Sequence, residues 1–179
     1  VNNGYTIDRF QFNITQTSKL TAQQNAGAVT PPTGFTNYLG ITSLSSHTVG
    51  ATEISDIRQG IEGQNIAHLK WGTADAKTVT VSFWVRSSLT GTFGASLSNT
   101  SANRCYPFSY SITSANTWEK KTITIDGDTT GTWSTDNTIG IRITFSLGTG
   151  TTYSGTSGAW TSSLHLSVTG ATSLVGTSG

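Results

Sequence analysis

The sequence has no methionine, one cysteine (Cys105) and three prolines, and its 179 residues include only ten basic and nine acidic ones. Each scarcity excludes something. A lone cysteine cannot form an intrachain disulfide or a cysteine-rich metal site. A net charge of +1, with basic residues scattered except for the Lys120–Lys121 pair, gives no clustered cation surface of the kind that neutralises nucleic-acid phosphates. So few charges also argue against a coiled coil, whose heptads need them. No apolar run approaches the ~20 residues of a membrane-spanning helix. The lack of methionine, even at position 1, is expected of a processed chain or of a segment of a longer polypeptide; we take the second reading.

What the chain has in abundance is hydroxyl groups. It contains 34 Thr, 23 Ser and 20 Gly, all poor helix formers. Seventeen aromatic residues lie among short apolar runs, so the sequence predicts a compact all-β domain and not a disordered chain. One domain spanning residues 1–179 suits this length.

Strand signals recur with turn residues between them. In Tyr5–Thr15, Phe10, Phe12 and Ile14 alternate with a period of two. Thr30–Phe35 holds the adjacent Pro31 and Pro32, which cannot sit inside a central strand, and Asn37–Leu44 reads as the next strand. Glu53–Trp71 mixes helical spacing (Ile54, Ile57, Ile61) with interrupting Gly60 and Gly63; it is expected to be extended with one helical turn. The clearest strand is Thr78–Ser88, where Val79, Val81, Phe83 and Val85 share one face. Trp84 is the odd ring on the opposite, polar face. Thr92–Ser98, Arg104–Ile112, Trp118–Ile125, Gly140–Leu147 and Ser163–Val168 complete nine or ten strands. With no convincing helix, a two-sheet sandwich fits best, with helix below about a tenth of the chain. Three Gly/Ser/Thr-rich stretches, Thr15–Thr30, Gly148–Gly158 and Gly170–Gly179, are expected to be loops.

Catalytic patterns are weak. His47, His68 and His165 lie far apart and lack the two-His helical spacing of a zinc protease. No G-x-S-x-G elbow occurs. Glu53, Glu62 and Glu119 lie in or beside strand-like segments, where a solvated face or a salt bridge is the simpler role than a glycosidase pair. We therefore expect a protein that is not an enzyme and carries no cofactor. Asp126–Asn137 (DGDTTGTWSTDN) places Asp at loop positions one and three and Gly at six, as a calcium loop does. It has Thr130 at five, Asn137 in place of the final Glu, and strand-like flanks. A hairpin loop whose Asp and Thr side chains satisfy their own backbone is the expected structure, with no metal.

Most aromatic residues lie in strand-like segments and are expected in the core. Trp133, Tyr153 and Trp160 sit instead in polar loops. There they either cap the sandwich or form a ligand-binding surface, since a sugar's C–H face stacks on a ring while its hydroxyls bond to neighbouring side chains.

Ile57–Asn99 (IRQGIEGQNIAHLKWGTADAKTVTVSFWVRSSLTGTFGASLSN) and Asn103–Trp133 (NRCYPFSYSITSANTWEKKTITIDGDTTGTW) resemble a domain common in fibre and virion-surface proteins of tailed bacteriophages, cyanophages among them. The central VSFWVRS and the later TWEKKTITI are also similar to jelly-roll carbohydrate-binding modules of glycoside hydrolases. The resemblance runs from about Tyr5 to about Leu174. It implies a jelly-roll sandwich, a non-enzymatic place on a virion surface as tail fibre or capsid decoration, and contact with other virion proteins. It also implies symmetric homo-oligomerisation, most often as a trimer, and adhesion to a host cell-surface polysaccharide, with Trp133, Tyr153 and Trp160 as candidate ligand-binding residues. Two alternatives stay open: a carbohydrate-binding module of a secreted glycoside hydrolase, and a ligand-free capsid cement domain. In the family a further strand usually follows the Gly-rich end, so a sheet edge is expected to be unpaired or covered by another chain.

Overall fold

Alternating β-branched and aromatic residues drive the chain into strands throughout, and in the computed structural model those strands stack in two layers. The structure describes residues 4–7 and 9–176. The first layer is a six-stranded antiparallel sheet in the order β1 (Tyr5–Ile7), β2 (Phe10–Ile14), β5 (Ile54–Glu62), β10 (Ile139–Thr149), β7 (Gly91–Ser98) and β8 (Cys105–Ile112). The second layer is split into two hairpin-like pairs, β3 (Leu20–Gln24) with β4 (Leu39–Ser43) and β6 (Val79–Val85) with β9 (Glu119–Ile125). The chain passes repeatedly from one layer to the other: β2 to β3, β4 to β5, β5 to β6, β6 to β7, β8 to β9 and β9 to β10. That crossing makes the domain an all-β jelly-roll sandwich.

Two apolar clusters fill the space between the layers, one under each pair. Under β6–β9, the buried Phe93, Phe108, Tyr110, Ile112 and Ile141 meet Val79, Val81, Phe83 and Ile123. Under β3–β4, Phe12, Ile14, Leu20 and Ile57 meet Ala22, Leu39 and Ile41. Phe145 of β10 packs against both clusters. The predicted face of β6 holds: Val79, Val81, Phe83 and Val85 point inward, while Thr80, Ser82 and Trp84 are exposed.

Glu53–Trp71 is extended through β5 and then makes a single turn of helix, α1 (Gly63–Ile66), followed by a tight turn at Ala67–Leu69. Gly63 and Gly140 let α1 sit directly on β10: a Cβ at Gly140 would lie 2.6 Å from the Gly63 Cα, closer than two carbons can approach. Two stretches expected to be loops contain strand. Thr15–Thr30 holds β3, because Leu20–Gln24 pairs along its whole length with Leu39–Ser43. Gly148–Gly158 holds the end of β10 and β11 (Ser154–Gly155), which pairs in parallel with β12 (Ser167–Val168). Only the last two residues of the expected strand Ser163–Val168 pair as strand. Gly170–Gly176 forms no strand, and Thr177–Gly179 lie outside the described residues. Among the described residues no helix is long and apolar enough to cross a membrane.

Candidate functional site

The split in the second layer leaves a cleft of about 860 Å³ between β4 and β6. Among the described residues β4 pairs only with β3, and β6 only with β9, so β6 and the Leu39–Thr42 stretch of β4 each turn an edge without a strand partner toward the gap. Leu39–Thr42 and Ser82–Ser88 line it as consecutive residues. Alternate residues would signal side-chain lining; consecutive ones place main chain at the walls. The floor is the inner face of the six-stranded sheet, with Phe93, Tyr110, Phe145 and Leu147. Phe83 sits edge-on to Tyr110 and Phe145, with ring centroids 5.1 and 4.9 Å away. Although it points inward, it is only half-buried, as are Val85, Phe145 and Leu147; among the described residues no strand lies above this part of the floor.

Aromatic rings form the rim. Trp84 is 39% exposed and Phe35 55%, and Trp118 meets Tyr38 edge-on at 5.5 Å. The proline turn holds these rings in place. Pro32 is buried, the Phe35 N–H donates to the Pro32 carbonyl at 3.0 Å, and the Tyr38 hydroxyl donates to the Ala26 carbonyl at 2.6 Å. Asn37, Asn116, Ser82 and Ser87 add amides and hydroxyls to the lining. The charged residues of the lining are Arg86 and Lys120, both basic; no carboxylate contributes among the described residues.

The three rings singled out in the sequence are placed differently. Trp133 and Trp160 join Trp71 in a mutually edge-on triangle, with centroid separations of 4.7, 5.3 and 5.4 Å. Each indole N–H is satisfied within the molecule: Trp71 by the Lys77 carbonyl at 2.7 Å, Trp160 by the Asp126 carbonyl at 2.8 Å, and Trp133 by Asp128 Oδ2 and the Thr130 carbonyl. Trp133 is buried, which removes its face from any surface site; it packs the end of the sandwich. Trp160 is half-buried between this triangle and Tyr106. Tyr153, half-buried in a tight turn at Thr151–Tyr153, has no ring contact with either indole among the described residues. The structure thus brings Trp133 and Trp160 together as packing partners and leaves Tyr153 apart. The rim rings Trp84, Trp118, Tyr38 and Phe35 escaped the sequence reading as a group. Its one pointer was Trp84, the lone large ring on the polar face of β6.

The acidic loop Asp126–Asn137 links the two layers between β9 and β10, and so is not the expected hairpin. Its carboxylates are engaged by neighbours. Asp128 is buried and accepts both Arg104 Nε and Arg104 Nη2 at 2.7 Å, as well as the Thr130 N–H and hydroxyl. Burial pushes the Asp128 carboxyl up, but Arg104 and Thr130 outweigh it and hold the group below its ordinary value. Asp136 takes the Ser134 and Thr138 hydroxyls, which bring it to about 2. The other candidate acids are likewise committed to neighbours. Glu53 lies 2.6 Å from His47 Nε2 and accepts the Gly50 N–H; Glu62 accepts from Asn65. Glu119 pairs with Lys121 at 2.5 Å and accepts the N–H groups of Thr113 and Ser114. No group of three or more His, Cys, Asp or Glu able to hold a metal occurs among the described residues.

No family model matches the chain, and neither the curated proteins nor the solved structures include a match to it. Fold and cleft therefore define its class: an all-β sandwich with an open, aromatic-rimmed groove across one layer.

Proposed function

We propose that this chain is a non-enzymatic domain of a tailed-bacteriophage virion, on a tail fibre or capsid decoration, that adheres to host-surface glycans through the rim of the cleft. One observation carries the glycan part: four aromatic rings ring an uncharged-to-basic groove furnished with amides and hydroxyls. A sugar's apolar face stacks on such rings while the polar lining takes its hydroxyls, and exposed rings with aromatic company mark interaction surfaces more often than isolated ones. The virion assignment rests on the sequence resemblance, as do the expected homotrimer and its contacts with other virion proteins.

Single-site binding is expected near the millimolar level, worth about 4 kcal/mol, and is raised by multivalent display. The test is adhesion of an oligomeric fusion to host cells and to their purified envelope polysaccharides. Trp84→Ala should abolish adhesion and shift the melting temperature by no more than a few degrees, because the Trp84 side chain lies on the outer face of β6. Adhesion that is unchanged by Trp84→Ala, or absent from every host polysaccharide, would overturn the proposal.

A further inference from the structure

The cleft has the form of a missing strand. Its walls are Leu39–Thr42 of β4 and the facing edge of β6, which pair with no strand across the gap among the described residues, and strand edges of this kind take up further strands through main-chain hydrogen bonds. Its floor joins the two apolar clusters at Phe145. The interior-facing Phe83, Val85, Leu39 and Ile41 are half-buried beside it. A sugar would leave both rows of main-chain donors and acceptors without a regular partner. A single extended peptide would pair with both.

We infer that the β4–β6 cleft accepts one extended polypeptide strand, supplied from outside the described residues, that joins the two pairs of the second layer into a continuous sheet. Its chemistry is set by the walls and floor. Every second side chain is apolar, to cover Phe83, Phe145 and Leu147, and the side chains between are small and polar on the outer face. An acidic residue lies at the end facing Arg86 and Lys120, the two basic residues of a lining without carboxylates. The Trp84 ring stays on the outer face, so strand insertion and glycan contact at the rim are compatible and can fail separately.

The experiment titrates the 179-residue protein with the blocked peptide TVTFTVE, whose Glu shares the outer face with the threonines, and follows amide exchange along Leu39–Thr42 and Val79–Val85. The expected result is at least tenfold slower exchange at the cleft-side amides of both strands. The same peptide N-methylated at every amide should give no slowing, and TVTFTVK should need a several-fold higher concentration. Slowing by host polysaccharide but not by peptide would overturn the inference in favour of a sugar-filled cleft. Slowing that rises with protein concentration alone would overturn it in favour of a second copy. Equal binding of the N-methylated peptide, or no slowing with TVTFTVE, would also overturn it.

Discussion

The indole N–H of Trp118 donates to the carbonyl of Thr30 at 2.9 Å, across 88 residues of sequence. Trp118 immediately precedes β9 and Thr30 opens the proline turn before β4, so this bond ties the two halves of the split layer at one end of the cleft. Trp118→Phe keeps a ring against Tyr38 and removes the donor. Stability should fall by about 1 kcal/mol, the ordinary net worth of one hydrogen bond. Amide exchange should quicken in the proline turn, at the Phe35 N–H, and stay unchanged in β7 and β8. Quickening spread evenly over the whole domain would show that the tie is not local.

Phe83 anchors the β6 side of the core between Tyr110 and Phe145. Phe83→Ala should cost about 3 kcal/mol, the low end for truncating a buried Phe, because one side of this ring faces the cleft. Urea unfolding measures it. A loss under about 1 kcal/mol would mean that the floor repacks over the gap.

Asp128 and Arg104 form a two-point ion pair whose carboxylate is almost fully enclosed. Removing one partner of such a pair leaves the other charge uncompensated, at a cost of about 3–5 kcal/mol. Asp128→Ala should approach that range, since it also strips acceptors from Trp133 and Thr130. Asp128→Asn should fall between wild type and Ala. Quenching of Trp fluorescence on unfolding gives the readout, with Trp133 beside the substitution.

Acid should unfold the domain through several carboxylates at once. Glu119, held by Lys121 and the Ser114 N–H, is brought down from 4.5 to about 2, and Asp136 from 3.8 to about 2. A group whose folded value is depressed adds stability that is present above its unfolded value and is lost as pH falls toward the folded one. The loss should therefore run from about pH 4.5 down to about 2. Asp56 acts in the opposite sense. Burial raises its carboxyl despite Arg58 and Asn13, so the folded chain holds that proton more tightly, and this contribution fades as pH rises. A melting temperature that is flat between pH 5 and 2 would contradict the assignment.

The legible parts of the fold are those where a period of two survives in the sequence. β6 and β10 announce themselves because each places β-branched or aromatic residues at every second position, and the face read from β6 is the face observed. β3 does not, since in LTAQQ only Leu20 is large and apolar; it is a strand because Leu39–Ser43 lies beside it. Trp133 misleads for a related reason. Its neighbours in sequence are Thr, Gly and Ser, whereas the rings that bury it, Trp71 and Trp160, come from other parts of the chain. Only the resemblance leads to the expectation of an unpaired sheet edge; the cleft itself has no local signature. It arises from a pairing that β4 and β6 do not make, and no local pattern encodes an unmade pairing.

Cys105 opens β8 with its side chain fully enclosed and its backbone bridged to Thr161. Burial pushes its thiol above the ordinary value, and the thiolate is the reactive form. The folded chain should therefore resist cross-linking to its copies in air, and alkylating reagents should reach the sulfur only when β8 opens. As the one sulfur atom in the sequence, it is a built-in clock: with a thiol label that reacts faster than β8 recloses, the rate of labelling counts those openings directly.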